Sequence, residues 1–332
     1  MVVSQVPARP ASHGFYAVAG RLLFIESFDP QLRKLIVELF AGWQLTPVTA
    51  PERAPDIRIT FFCGDALPKI PPNLNHFEIA HSGKCYSDGA DYYLTLRHTL
   101  LHLQNGNEIS VSVWFTKLPG PGDPMLARAT SFAVCAALRR FRLFELHSAG
   151  LVHPESENGV LIVGPSGSGK STLALQLALA GWPYLSDDEL LLSVVNGEVE
   201  ARGFRSFFAV SKATAFAAGI DKIDSSGQFK TCFEPGAIVT APRKLRTTPR
   251  LLLFTSLSGE YETQLRKLTQ SETMSRLIRA CPWASYDTAI AASNLELLST
   301  LARQTSAFDL FAGRDLLEPN HASNLLSRYA GS

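Results

Sequence analysis

An apolar run, Val160-Leu-Ile-Val163, stops dead at Gly164, and a helix-periodic apolar stretch follows from about Ser171 to Ala180. Between them stand Gly164, Pro165, Ser166, Gly167, Ser168, Gly169, Lys170, Ser171 and Thr172, a G-x-x-x-x-G-K-S motif. No other stretch limits the fold as tightly. A buried strand, a glycine turn and a helix in that order open a β-α-β unit, and such units belong to α/β sheets. The residue types suit a phosphate cradle. Glycines let backbone N–H groups approach phosphate oxygens, and the new helix turns its positive end on them. Lys170 supplies a point charge for the β- and γ-phosphates, and the Ser171 hydroxyl suits Mg2+. A glycine-rich turn without a ligand is the alternative, and the strand before and helix after weigh against it.

The spacing to the next acids extends this reading. Asp187 follows Lys170 by 17 residues, room for one helix and one return strand. A right-handed crossover would lay Tyr184 to Ser186 parallel to the phosphate-loop strand, so both end on the sheet edge where ligands bind. Asp187 and Asp188 would then arrive beside the γ-phosphate, where an acid pair suits catalysis and Mg2+. A helix cap or a solvated turn is the plainer account of two adjacent acids.

The rest of the chain bounds the class. With 332 residues, 46% hydrophobic and 18% charged, it is long and apolar enough for one large domain or two ordinary ones. A net charge of +1 gives no pull toward nucleic acid or an anionic membrane, and no apolar run reaches the length of a membrane span. Met1 to His13 lacks the build of a signal peptide. Five scattered cysteines without a C-x-x-C fit a reducing cytoplasm.

Before the motif, alternating apolar residues predict strands from Phe15 to Ser27 around Ala19-Gly20, and at 57–62, 77–79, 92–96 and 108–115. A helix is predicted from Pro30 to Trp43. Residues 1–118 therefore read as a smaller mixed α+β domain, and His76, His81, His98 and His102 lack metal-ligand spacing. The breaker Leu118-Pro-Gly-Pro-Gly-Asp-Pro124 marks the expected boundary, with 119–332 as the second domain. That domain opens on a long helix, Met125 to Phe144, ending in a basic turn suited to a helix C-terminus. A single strand is predicted from Leu146 to Val152.

After the acids, Asn196-Gly197 turns a hairpin that carries Glu200 and Arg202 on one face. Lys230, Arg243, Lys244, Arg246 and Arg250 form a basic cluster that reads either as a solvated loop or as a reach toward nucleotide. Residues 250–257 predict a buried strand, 269–280 and 288–305 helices, and 308–311 a last strand.

Leu146-His147, the loop from Gly164 to Thr172, the Gly181 turn, Asp187-Asp188 and Glu200-Ala-Arg202-Gly203 together resemble the HPr kinase/phosphorylase family, more closely its shorter HPr-kinase-related branch. The loop and paired aspartates are also similar to those of ATP-dependent phosphoenolpyruvate carboxykinases. The resemblance implies a P-loop kinase domain of that type, binding ATP and Mg2+. It implies Asp187 as base, Asp188 and Ser171 as metal ligands with Glu200 near the metal, Lys170 on the phosphates, and His147 beside the reacting groups. The implied acceptor is a serine hydroxyl of a protein or peptide, and a homo-oligomer is the implied assembly. Thr172 departs from the Glu of HPr kinases, and the first 118 residues do not match their N-terminal domain, so HPr itself is not implied. A nucleotide-driven switch or ATPase, a carboxykinase-like enzyme acting on a small acid, and a catalytically silent homologue remain as alternatives.

Overall fold

The structure, a computed structural model, describes residues 12–79, 83–87, 91–220, 230–318 and 320–331. Most of the N-terminal stretch, His81 and the polar loop 224–228 lie outside them. The chain is mixed α/β and divides into two compact units, Met1–Leu143 with Ser285–Ala291, and Phe144–Ala284 with Ala292–Ser332. Among the described residues no helix is long and apolar enough to cross a membrane.

The first unit runs β1 (Ser12–Val18), β2 (Arg21–Ser27), α1 (Pro30–Ala41), β3 (Thr46–Val48), β4 (Ile57–Cys63), β5 (Asn75–Ile79), β6 (Gly83–Ser87), β7 (Asp91–Leu96), β8 (Thr99–Asn105), β9 (Ile109–Phe115) and α2 (Pro124–Arg139). Its strands form one sheet ordered β3-β1-β2-β4-β9-β8-β7-β6-β5. Alternation in β9 buries Val111, Val113 and Phe115 on one face. Asp29 caps α1, its carboxylate accepting the N–H of Gln31 and Leu32, and Leu32, Ile36 and Phe40 form the buried stripe.

Asp123 caps α2 in the same way, and α2 packs on β4, β8 and β9. The division between units therefore falls after Leu143, and the Pro-Gly breaker at 118–124 is a loop inside the first unit. The helix also ends earlier than its apolar pattern predicts. Arg139 and Arg140 are not solvated cations at its end. Arg139 is fully buried, and both guanidinium groups meet the buried Asp287, at 3.8 and 2.7 Å.

From Phe144 the elements are β10 (Phe144–Leu146), β11 (Ser148–Val152), β12 (Gly159–Val163), α3 (Lys170–Leu179), β13 (Tyr184–Ser186), β14 (Leu190–Val195), β15 (Glu198–Gly203), β16 (Phe208–Ser211), α4 (Lys212–Ala217), β17 (Lys230–Phe233), β18 (Arg246–Thr247), β19 (Pro249–Leu257), β20 (Gln264–Lys267), α5 (Gln270–Ala280), α6 (Trp283–Tyr286), α7 (Thr288–Gln304), β21 (Ser306–Ala312) and α8 (His321–Ala330). A six-stranded sheet is ordered β13-β11-β12-β19-β21-β20, and a four-stranded one β10-β14-β15-β18. β12, β19 and β21 are parallel neighbours, with Val163 opposite Phe254 and Phe254 opposite Asp309. β13 runs in the direction of β12, as the spacing predicts, yet the two are not adjacent. β11 lies between them, antiparallel to both.

The second unit's core sits under α3. Leu173, Ala174, Leu175, Leu177 and Ala178 pack with Val160, Ile162, Leu251, Leu253, Leu310 and Leu326 of α8. Trp182, fully buried, donates its indole N–H to Ser323 on α8 at 2.9 Å. That closing helix starts at Asn320, a residue type suited to a helix start, which here stands in the left-handed region and makes no side-chain cap.

Candidate active site

The seven-residue run from Leu146 to Val152 is not one strand but two, in different sheets, broken at His147. Its partner run is broken likewise, at Asp187-Asp188-Glu189 between β13 and β14. Leu146 faces Leu190 on one side of the break, and Gly150 faces Ser186 on the other, in the same register. A single antiparallel ribbon thus passes from one sheet into the next. His147 and Asp188 lie at the break, Nδ1 to Oδ1 3.3 Å apart. Ser148 pairs with Val163, the last residue before the glycine loop, so the break lies at the edge where that loop begins.

The loop is built by close approach. At Gly164 a Cβ would fall 2.5 Å from Ser168 Oγ and 2.8 Å from the Thr255 carbonyl oxygen. Gly167 and Gly169 take φ of +83° and +94°, conformations that favour glycine. Ser168 Oγ lies 3.0 Å from Thr255 Oγ1, which ties the loop to the neighbouring parallel strand. Gly169 starts α3 without any side-chain cap, whereas α1, α2 and α5 are capped by Asp29, Asp123 and Thr269. The orphan N–H groups of that first turn are therefore left for another acceptor. Lys170 is buried, and its Nζ donates to the carbonyls of Gly164 at 2.7 Å and Pro165 at 3.0 Å.

These residues share one cleft of about 440 Å3, lined by 166–173 together with His147 and Asp188. Asp188 is 40% exposed there, and His147 is half-exposed. Burial of the imidazole disfavours its cation and lowers its pKa, outweighing the opposing pull of Asp188. Asp187 differs. It is 0% exposed and does not line the cleft, and its Oδ2 accepts the Ala209 N–H at 2.9 Å. Of the acid pair the structure therefore sets Asp188 on the cleft and holds Asp187, the base that the resemblance implies, behind its lining. Both acids lie past the end of β13, where the ribbon leaves one sheet for the other, and of the two only Asp188 lines the cleft.

Glu200 also stands apart. It does not line the cleft, and its carboxylate lies 3.5 Å from Arg202 and 3.3 Å from Arg246. The basic cluster dissolves into separate contacts: Arg243 with Ser206, Lys244 with Glu157, Arg250 with Glu198. None of these cations lines the cleft. In the first unit His102 pairs with Asp91 at 2.9 Å and stacks on Tyr93. Among the described residues no three His, Cys, Asp or Glu side chains group to hold a metal ion.

Sequence reasoning missed several cleft residues. Thr214 and Ser211 extend a hydroxyl chain from Thr172 of the loop, with Oγ separations of 2.9 and 2.9 Å. Thr255, a buried hydroxyl directly after the apolar run 251–254, is the one legible hint. Leu257 and Leu317 carry no polar signal at all.

No family profile matches the chain, and no curated protein matches it. Among solved structures, one titled as the Hpr(Ser) kinase/phosphatase from Coxiella burnetii is 17% identical over 37% of this chain and 70% of its own, with a TM-score of 0.26. A likeness of that size bears on neither the fold nor the activity.

Proposed function

We propose that this protein is an ATP-dependent phosphotransferase, its second unit a P-loop kinase domain of the HPr kinase/PEP carboxykinase type. It moves the γ-phosphoryl group of ATP to a hydroxyl of a protein or peptide, serine being the acceptor that the family resemblance implies. One observation carries the reading: an uncapped helix N-terminus with Lys170 and Ser171 shares a single cleft with Asp188 and His147. Such a terminus favours phosphate oxygens, and Lys170 adds a full charge beside them.

The donor set fits Mg2+. That ion is commonly held by one or two carboxylates plus substrate phosphates rather than by a protein cage. Ser171 and one oxygen of Asp188 would supply the protein ligands, and the ion would offset charge on the triphosphate. Phosphoryl transfer passes through a loose transition state, so orientation and charge matter more than covalent help. The other Asp188 oxygen accepts the proton of the attacking hydroxyl, with His147 orienting both. Asp187 acts through structure: it fixes the Ala209 N–H and hence the end of β16 against the cleft.

The test uses γ-labelled ATP with Mg2+ and a cell lysate. Label on a protein or peptide supports the reading, and Asp188→Asn should abolish it while ATP binding persists. Lys170→Ala should lose both. Label found only in free phosphate, or an Asp188→Asn variant working at the wild-type rate, would overturn the assignment.

A further inference from the structure

The cleft is two-sided, and only one side has been used. The sheet order puts β11 and β13, with His147 and Asp188 at the break, on one flank of β12; β19 and β21 lie on the other. Beyond β19 and β21 the wall changes character. Leu173, Leu310 and Leu316 form an apolar floor, while Leu257 and Leu317 line the cleft yet remain 66% and 48% exposed. Isolated exposed leucines are ordinary, but two on one wall of one cleft, with Arg314 beside them, form a surface that water serves poorly.

This wall is held in place. It consists of the segment after β19 and a single 3-10 turn, Arg314–Leu317, after β21. Backbone bonds join them: Ser258 N–H to Ala312 at 3.1 Å, Arg314 N–H to Glu260 at 3.1 Å, Asp315 N–H to Tyr261 at 3.0 Å. The buried Asp315 carboxylate accepts both the N–H and the hydroxyl of Thr263. At Gly313 a Cβ would come 2.4 Å from the Tyr261 carbonyl oxygen, so the two segments touch backbone to backbone. The leucines therefore stand on a preorganised support.

We infer that the wall formed by Leu257, Leu317 and Arg314 receives the nucleobase of the triphosphate whose phosphates occupy the glycine loop. The inference rests on the phosphate reading of that loop. The transferable end must point toward Asp188, so the nucleoside end extends to the opposite flank, and there the cleft turns apolar. The cleft is continuous, which makes the occupant part of the same ligand rather than a separate one. A flat heterocycle lies between aliphatic side chains, and a guanidinium stacks on its face. The occupant is thus chosen by the phosphates it is attached to.

The experiment compares binding of ATP and of inorganic tripolyphosphate, each with Mg2+, by calorimetry on the full chain. In the Leu257→Ser/Leu317→Ser double variant, both positions being exposed, ATP affinity should fall about tenfold or more. Tripolyphosphate affinity should hold within about twofold, since it has no base to lose. Equal losses for the two ligands, or no loss for ATP, overturn the nucleobase wall while leaving the phosphate loop standing. Failure of the wild-type chain to bind either ligand overturns both.

Discussion

Gly164→Ala tests the geometry on which the glycine loop depends. The added methyl would meet two neighbours of different stiffness. Ser168 Oγ, at 2.5 Å, can rotate away, but it then gives up its contact with Thr255 Oγ1. The Thr255 carbonyl oxygen, at 2.8 Å, cannot move without shifting β19, which is paired on both sides. Overpacking of a rigid site costs about 1–3 kcal/mol, and the lost hydroxyl contact adds about 1 kcal/mol. The expected destabilisation is therefore about 2–4 kcal/mol. Gly167→Ala is the contrast, with nothing within 4 Å of its added methyl. Only its φ of +83° resists, at about 1–2 kcal/mol. Urea unfolding followed by circular dichroism should rank Gly164→Ala below Gly167→Ala, and ATP binding should suffer more in the former. Adding Ser168→Ala should return only the smaller share. If the double variant regains full stability, or Gly164→Ala unfolds with the wild type, the loop does not press on the β19 backbone as argued.

Asp287→Ala should destabilise the chain by about 3–5 kcal/mol in the same urea assay, because it strips a buried carboxylate from the fully buried Arg139. Thiol titration under native conditions should find Cys63 and Cys232 reactive, and Cys85, Cys135 and Cys281 protected until unfolding; burial pushes the Cys85 thiol up to about 11. Glu272 should titrate near pH 2 by carbon-detected NMR. The Thr269 N–H, then Arg266, then the Thr269 hydroxyl hold its carboxylate ionised well below the ordinary 4.5. A depressed folded pKa means its contribution is complete above about pH 4.5 and is lost as pH falls through about 2. Thr269→Ala should move that titration upward; an unmoved value would show that the capping box does not hold it.

Where a local pattern decided the structure, the sequence was readable. The strand, glycine turn and helix at 159–179 follow from an apolar run, residues tolerant of positive φ and 3.6-residue periodicity, and α5 follows from Thr269 with Glu272 three residues on. What was not readable depends on partners far along the chain. Leu118-Pro-Gly-Pro-Gly-Asp-Pro124 carries every local sign of a boundary, yet α2 buries its apolar face against β4, β8 and β9, and only that packing says which unit owns the helix. Met, Leu and Ala at helical spacing are silent about which sheet lies beneath them.

The break in the ribbon explains why the acid pair in particular was half legible. Leu146 to Val152 reads as one strand because nothing local marks the point where pairing passes from β14 to β13. Yet that passage opens the ladder at His147 and at 187–189, frees side chains from strict alternation between two packed sheets, and sets one of the two acids on the cleft. Spacing from Lys170 could predict that an acid arrives at this edge. It could not predict which, since the face presented by each residue leaving β13 is fixed by where the ribbon changes sheets. Asp188 lines the cleft beside His147, and Asp187 turns inward, where its carboxylate accepts the Ala209 N–H and fastens β16.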